Sequence, residues 1–481
     1  MTPVPGHEAI DEMHAVTVAR LLVEPTPETT RVYYAKLLEA QNHSGVVVRY
    51  IDSSIGKGVF ATKNYDVDEL VLKEHMLVGA QHSQNKADAF VCSFCFRFIG
   101  SIELQIGRRL LSAENEGREL SVEGKEGYLG PTSSCCHDSK AAKCLEKDGE
   151  YIRGLSSDAA EALLNSSLRL PFTELFTFSP VISCMGGCED EFYCSEVCAK
   201  AAWDSHHSLL CTGPGSLCKD KDSLVKFIDH ANESNDIFLV AAKVVSSTLL
   251  KALKLKQAEF SSHLPTTYSA EDSTRELLQA WQPFSMGFKR LWWNSVALPP
   301  DLGPNDEVDF RNQLKELASQ SLKLLKGAIF HAEYAALFSL QVYGHIIGMF
   351  ELNNLDLVVA SPVEDYFIYI DELPMVQKME AETITRPLLD ALGDDYNTPC
   401  QGTAFFPIQS CLNHSCLPNM KAFKRDEDTD GQAVLLATRQ IQVGEELTIS
   451  YIDEDASWEE RKAMLEDYGF LCDCQKCAEK S

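Results

Sequence analysis

Most of the seventeen cysteines in this 481-residue chain fall in close pairs. Cys92 and Cys95 come first. Cys184 with Cys188, Cys194 with Cys198, and His207 with Cys211 follow. A trio, Cys472, Cys474 and Cys477, lies near the C-terminus. A chain with thiols at these spacings has to fold around metal. The first eight N/S ligands fill two four-coordinate zinc sites with none left over. Met1 to His14 carries Glu8, Asp11 and Glu12 and no apolar stretch, so it reads as neither a signal nor a transit peptide. Without a secretory leader, the cysteines indicate a reducing compartment and metal ligation rather than disulfides. His206 competes with His207 as a ligand. The four-residue step to Cys211 favours His207, because i and i+4 share a helix face.

The formal net charge of −28 argues against broad binding to a phosphate backbone, which needs clustered Lys and Arg. It suits a basic protein or peptide partner, and it equally serves solubility alone. No apolar run approaches the ~20 residues that span a bilayer, so no membrane partner is expected. The length fits about two or three domains.

A second constraint is the run Gln409-Ser410-Cys411-Leu412-Asn413-His414-Ser415-Cys416-Leu417-Pro418-Asn419. Asn413, His414 and Asn419 offer several donors and acceptors, the first two between apolar Leu412 and Leu417 and Asn419 just beyond. Burying them is costly unless a ligand or a crossing strand supplies partners. Gly444-Glu445-Glu446-Leu447-Thr448-Ile449-Ser450-Tyr451 follows, then Tyr468-Gly469-Phe470-Leu471-Cys472-Asp473-Cys474-Gln475-Lys476-Cys477.

These three ordered motifs resemble the core and the cysteine-rich post-SET tail of SET-domain protein lysine methyltransferases. The order of the eight upstream ligands resembles a MYND zinc finger, in which ligands interleave. That resemblance implies one zinc on Cys92, Cys95, Cys194 and Cys198, and another on Cys184, Cys188, His207 and Cys211. It departs from the family in the Cys194–Cys198 spacing and in an insertion at about 100–180. The tail offers only three ligands, and in the family the cysteine of the central motif, here Cys416, is the fourth. About three zinc ions are therefore implied. Residues 353–366 add a likeness to plant trithorax-related SET proteins with a split finger.

The resemblance implies an α+β fold. A SET-domain β-sheet would be interrupted by a helical insert and a zinc-finger insertion, and closed by a zinc-bound tail. The expected units are N-terminal helices at 1–45, the first SET part at 46–91 and the finger at 92–211. A helical insert at 212–339, the catalytic part at 340–453 and the tail at 454–481 follow. Pro25 and Pro27 break the N-terminal helical pattern. Low hydrophobicity and high Gly, Ser and Glu content predict a partly disordered insertion at 100–180. Its Cys135, Cys136, His137 and Cys144 have poor metal spacing and read as free thiols. Phe288, Leu291, Trp292 and Trp293 read as packing between helices. Glu380 to Pro399 reads as acidic and exposed.

The implied reaction moves a methyl group from S-adenosylmethionine to a lysine nitrogen. Tyr451 matches the family's catalytic tyrosine. The resemblance puts Lys57, Gly58, Asn353, Asn413, His414, Tyr451, Tyr468 and Phe470 around the methyl donor. Gly56-Lys57-Gly58 is equally a plain hairpin turn, and Asn353 equally a helix cap. The implied partners are a histone tail or another lysine-containing protein, and transcription factors held through the finger. The implied location is the nucleus, with the cytoplasm as an alternative. A non-catalytic adaptor is the reading from a different class. The complete set of Asn413, His414, Tyr451 and tail cysteines disfavours it.

Overall fold

Twelve strands are described, in chain order: β1 (Val46–Tyr50), β2 (Lys57–Ala61), β3 (Leu70–Glu74), β4 (Val78–Gln81), β5 (Ile182–Ser183), β6 (Phe192–Tyr193), β7 (Leu355–Val359), β8 (Cys400–Phe405), β9 (Asn413–His414), β10 (Met420–Ala422), β11 (Ala433–Ala437) and β12 (Glu446–Ile449). They come from a computed structural model that describes residues 6–119, 158–262, 270–299, 302–303, 306–353 and 355–480. The sheets run β1-β2-β12-β9, β10-β11-β3, β4-β8-β7 and β5-β6. Each of the first three joins strands from the N-terminal part to strands beyond residue 350. The α+β expectation therefore holds, with the finger and the helices inserted between the two halves.

The β1–β2 hairpin pairs Val46 with Ala61 and Tyr50 with Lys57. Asp52 closes its turn by accepting from the backbone N–H of Ser54 and Ile55, at 2.7 and 2.9 Å. Alternation puts Val46, Val48, Val59 and Ala61 on one face. Tyr34 and Leu38, from the helix Pro27–Ala40, cover that face. Each such burial contributes about 1.5–3 kcal/mol. Pro27 opens this helix at its first turn, and Thr26 caps it by accepting from Thr29 N at 3.2 Å.

The largest core lies among the helices Lys221–Ser234, Ile237–Ser262, Ala270–Ser285, Glu307–Ile329 and Leu340–Asn353. Phe238, Trp281, Leu322 and Tyr343 are fully buried there. Trp281 donates its indole N–H to the Leu21 carbonyl at 2.7 Å, which pins the N-terminal helices to this block. No single helix among the described residues is long and apolar enough to cross a membrane.

Two expectations change and one element is added. The insertion begins with a helix, Ile102–Glu119, whose Ile102, Ile106 and Leu110 pack with Tyr366, Phe367 and Leu388. Composition hid this apolar face. The stretch from Glu380 is mostly helical within Met375–Leu392 and buries Ala381, Thr385, Leu388 and Leu392. Those positions follow helical spacing beneath an acidic outer face. Trp292 and Trp293 are buried as expected, but Phe288 is 46% exposed. Cys135, Cys136, His137 and Cys144 lie outside the described residues.

Gly344 and Gly348 let the segment 290–293 press against the helix Leu340–Asn353. A Cβ at Gly348 would lie 2.0 Å from the Arg290 carbonyl oxygen. Gly348→Ala is therefore expected to lower stability by about 1–3 kcal/mol in urea unfolding. An unchanged midpoint would show that the contact relaxes freely.

Candidate functional site

The polar run finds its partners in a neighbouring strand. β9 pairs in parallel with β12, placing Asn413 opposite Thr448 and His414 opposite Ile449. Ser415 N extends the ladder to the Ile449 carbonyl at 3.0 Å. Asn419 is 1% exposed, and its amide acts as one more strand residue. Its Oδ1 accepts from Thr448 N at 2.8 Å, and its Nδ2 donates to the Glu446 carbonyl at 2.7 Å. Asn413 Nδ2 donates to Glu446 Oε1 at 2.7 Å and to the Lys57 carbonyl at 3.0 Å. Those two bonds tie β2, β9 and β12 together. At Gly58 a Cβ would meet Ile51 Cδ1 at 2.7 Å and Glu446 Oε1 at 2.9 Å, so a larger residue would push on the carboxylate that Asn413 holds.

Tyr451 follows directly from β12. Its backbone N–H donates to His414 Nδ1 at 3.0 Å, and its hydroxyl donates to the Leu412 carbonyl. Its ring centroid lies 5.3 Å from that of Tyr468, 5.4 Å from His414 and 6.4 Å from Phe470. Burial, and next Tyr468, pushes the Tyr451 phenol well above its ordinary pKa. The phenol therefore stays protonated at neutral pH. Burial and then Arg461 lower the His414 imidazole to about 4, so it is neutral and Nδ1 is free to accept. Its Nε2 lies 3.2 Å from Cys416 Sγ. Four of the candidate residues, His414, Tyr451, Tyr468 and Phe470, thus form one aromatic cluster. Electron-rich ring faces of this kind suit a cationic sulfonium and its methyl group.

Lys57 and Asn353 meet on another segment. Lys57 Nζ donates to the Met286 carbonyl and lies 5.7 Å above the Tyr34 ring. Asn353 commits its amide to backbone. Its Nδ2 donates to the carbonyls of Phe288 at 2.6 Å and Met349 at 2.8 Å, and its Oδ1 accepts from Phe288 N at 3.3 Å. Sequence reasoning missed the segment Met286–Phe288. It works through main-chain groups and leaves no motif.

The twelve metal-ligand candidates gather in three groups: Cys92, Cys95, Cys194 and Cys198; Cys184, Cys188, His207 and Cys211; and Cys416, Cys472, Cys474 and Cys477. Within each group the ligand atoms lie within 4.8 Å of one another. The Cys95–Cys194 and Cys416–Cys477 sulfurs are 3.5 Å apart, and Cys184–Cys211 are 3.7 Å apart. Thiolates at ~2.3 Å around a tetrahedral zinc would stand roughly 3.8 Å apart, so the donor sets fit. The wider Cys194–Cys198 spacing has a local cause. Ser195 caps the helix Glu196–Ala202, and Cys198 needs that first turn to come back beside Cys194. His207 faces Cys184 at 3.1 Å and Cys188 at 3.4 Å, whereas His206 bonds Ser205. The preference for His207 stands, but its reason changes. The helix stops at Leu210, and Cys211 has an extended backbone rather than sharing a helix face.

The SET-domain family model matches residues 56–452. The chain is 52% identical to histone-lysine N-methyltransferase ATXR2 of Arabidopsis thaliana over 98% of both chains. It is 24% identical to protein-lysine N-trimethyltransferase SMYD5 of Gallus gallus, over 89% of this chain and 85% of that one. A 78-residue stretch is 46% identical to histone-lysine N-methyltransferase SMYD3 of Homo sapiens, covering 16% of this chain and 17% of the relative.

Metal content offers a direct check on the three ligand groups. About three zinc ions per chain are expected by elemental analysis. Cys474→Ser should leave about two and loosen the tail in proteolysis, because binding and local folding are coupled. Retention of all three ions in that variant would remove Cys474 from the ligand set.

Proposed function

The chain belongs to the SET-domain protein-lysine methyltransferases, and from that premise we propose that it methylates lysine in a histone tail within the nucleus. The observation that carries this reading is the β9–β12 ladder, which brings Asn413 and His414 beside Tyr451. Asn413, His414, Lys57 and Gly58 form the floor of the donor site. Tyr468 and Phe470 line it with rings. Asn353 shapes it by holding Phe288. A non-histone lysine is the alternative substrate, supported by the likeness to protein-lysine N-trimethyltransferase SMYD5 over most of the chain. The finger is the surface for transcription-factor partners.

S-adenosylmethionine, when bound, supplies an electrophilic methyl group on a positively charged sulfur. The lysine nitrogen must first lose a proton to expose its lone pair, and its ordinary pKa is about 10.4. Desolvation among Tyr451, Tyr468 and Phe470 lowers that value. The N–CH3 bond forms as the S–CH3 bond breaks, leaving methyl-lysine and S-adenosylhomocysteine.

Tyr451 is not the base in this account. Its raised pKa keeps the proton on the phenol, and that proton is engaged by the Leu412 carbonyl. The hydroxyl oxygen then presents lone pairs to an amine N–H and turns the nitrogen lone pair toward the methyl group. Activity should rise with pH as the substrate amine deprotonates, with no limb from the tyrosine below its raised pKa.

Tyr451→Phe should lower kcat by about 10²-fold, in the range of a lost transition-state hydrogen bond. Binding of S-adenosylhomocysteine should stay within about threefold of the parent, well below one lost charged hydrogen bond. Labelled donor with separate histone and non-histone extracts provides the substrate readout. Full turnover by the variant would end the catalytic assignment, and labelling confined to the non-histone extract would favour the alternative.

A further inference from the structure

We propose that Glu74 is a positioning residue for the methyl transfer: as a carboxylate it holds the turn that presents the Leu412 carbonyl to Tyr451. This rests on the reading of Tyr451 as the group that orients the lysine nitrogen. Glu74 ends β3 and is fully buried. Alternation along that strand sends Lys73 to the opposite face, where it pairs with Asp428. Among the described residues no lysine, arginine or histidine forms an ion pair with the Glu74 carboxyl. An acid buried without a cation is costly unless N–H donors meet it.

The donors come from the central motif. Glu74 Oε1 accepts from the Ile408 N–H at 2.7 Å and Oε2 from the Gln409 N–H at 2.8 Å. These amides stand at the open end of one helical turn. That turn closes through Ser410 N to the Phe406 carbonyl at 2.9 Å and Cys411 N to the Ile408 carbonyl at 3.0 Å. The first N–H groups of a turn have no partner within it, and a carboxylate across both gives each a charge-assisted bond. The same turn then sets the site. Leu412 N donates to the Gln409 carbonyl at 2.9 Å, and the Leu412 carbonyl takes the Tyr451 hydroxyl. Hydrogen bonds through Gln409 and Leu412 thus connect the buried carboxylate to the phenol.

The connection depends on charge. A carboxylate accepts on both oxygens, whereas a protonated carboxyl makes one oxygen a donor and a poor partner for its amide. Burial pushes Glu74 up to about 8, against the pull of its two N–H bonds. Tyr33 and Tyr34 face it from the helix Pro27–Ala40, and burial first, then nearby acidic groups, raises both phenols. Cys411 faces it from the turn and is also raised by burial, with Lys57 the cation on that side. On β11 the residue opposite Glu74 is Ala433. Glu74 is therefore the group of this cluster that changes charge near pH 8.

Two readouts on the full chain test the role. In protein with isotope-labelled tyrosine rings, the Tyr451 NMR signal is identified by its loss in Tyr451→Phe. It should shift with pH in the parent with a midpoint of about 8 and stay flat in Glu74→Gln. A flat signal in the parent overturns the proposal, and this arm decides even where Glu74→Gln does not fold. The second readout is transfer from labelled S-adenosylmethionine to whichever extract, histone or non-histone, the parent labels. Glu74→Gln should be slower by about tenfold at about pH 9, the scale of one lost charged hydrogen bond. The gap should close toward about pH 6.5, where the parent carboxyl is protonated too. A gap of the same size at both pH values marks Glu74 as packing alone and overturns the proposal, as does no gap at all. Labelling of neither extract by the parent overturns the reading of Tyr451, while the Tyr451 signal still reports whether Glu74 holds the turn.

Discussion

The site depends on a parallel ladder only two residues long. Asn413 and His414 lie beside Thr448 and Ile449, and nothing in local chain geometry brings those pairs together. A ladder that short contributes little by itself, since each net hydrogen bond is worth about 1 kcal/mol. Side chains extend it. The Asn419 amide continues the pairing on one side, and Asn413 reaches β2 on the other. Asn419 is buried and Asn413 half-buried, so leaving the Asn419 amide unpaired costs more than its bonds contribute. The ladder therefore leans most on Asn419. That matters for a reaction in which a small displacement of one hydroxyl removes the alignment.

The third ligand group would add a metal-bonded constraint at the same place with zinc bound. Cys416 comes two residues after His414 and meets cysteines from the tail. His414 Nε2 faces the Cys416 sulfur, while Nδ1 accepts from the Tyr451 backbone. As a zinc-bound thiolate, Cys416 would hold the proton of His414 on Nε2 and leave Nδ1 as acceptor, which is the tautomer that the Tyr451 contact needs. One imidazole thus links the strand that leads into Tyr451 to Cys416, and Cys416 is the residue that meets the tail cysteines. The two upstream groups lie instead within the finger, packed with Phe90, Ile99 and Tyr193.

What could be read from the residues follows the same physics. Asn413, His414 and Asn419 are legible because polar side chains among leucines in a buried turn need partners, and β12 supplies them. The metal ligands stood out because four-coordinate sites impose a count. The helix Met375–Leu392 was obscured because acidic composition masked the spacing of Ala381, Thr385, Leu388 and Leu392. The segment Met286–Phe288 was hidden for a different reason. It takes part through two carbonyls and one N–H, which every residue possesses, so no side-chain pattern could reveal it. The resemblance assigns Asn353 to the donor, with a helix cap as the alternative, but the direction of its amide depends on which backbone the fold places opposite.

That segment also explains why the helical insert belongs to the site rather than merely interrupting it. The helix Ala270–Ser285 ends where Lys289 gathers three carbonyls, and a turn of chain with its carbonyls so occupied has few other conformations. Its position is then set by Gly344 and Gly348 on one side and by Asn353 on the other. Lys57, on β2, reaches the same turn. The helical core and the sheet core therefore meet at this turn beside the aromatic cluster, where the Met286 side chain is buried in the sheet core. Changes in helix packing far from Tyr451 would reach the site through this turn, because residues of both cores are bonded to it.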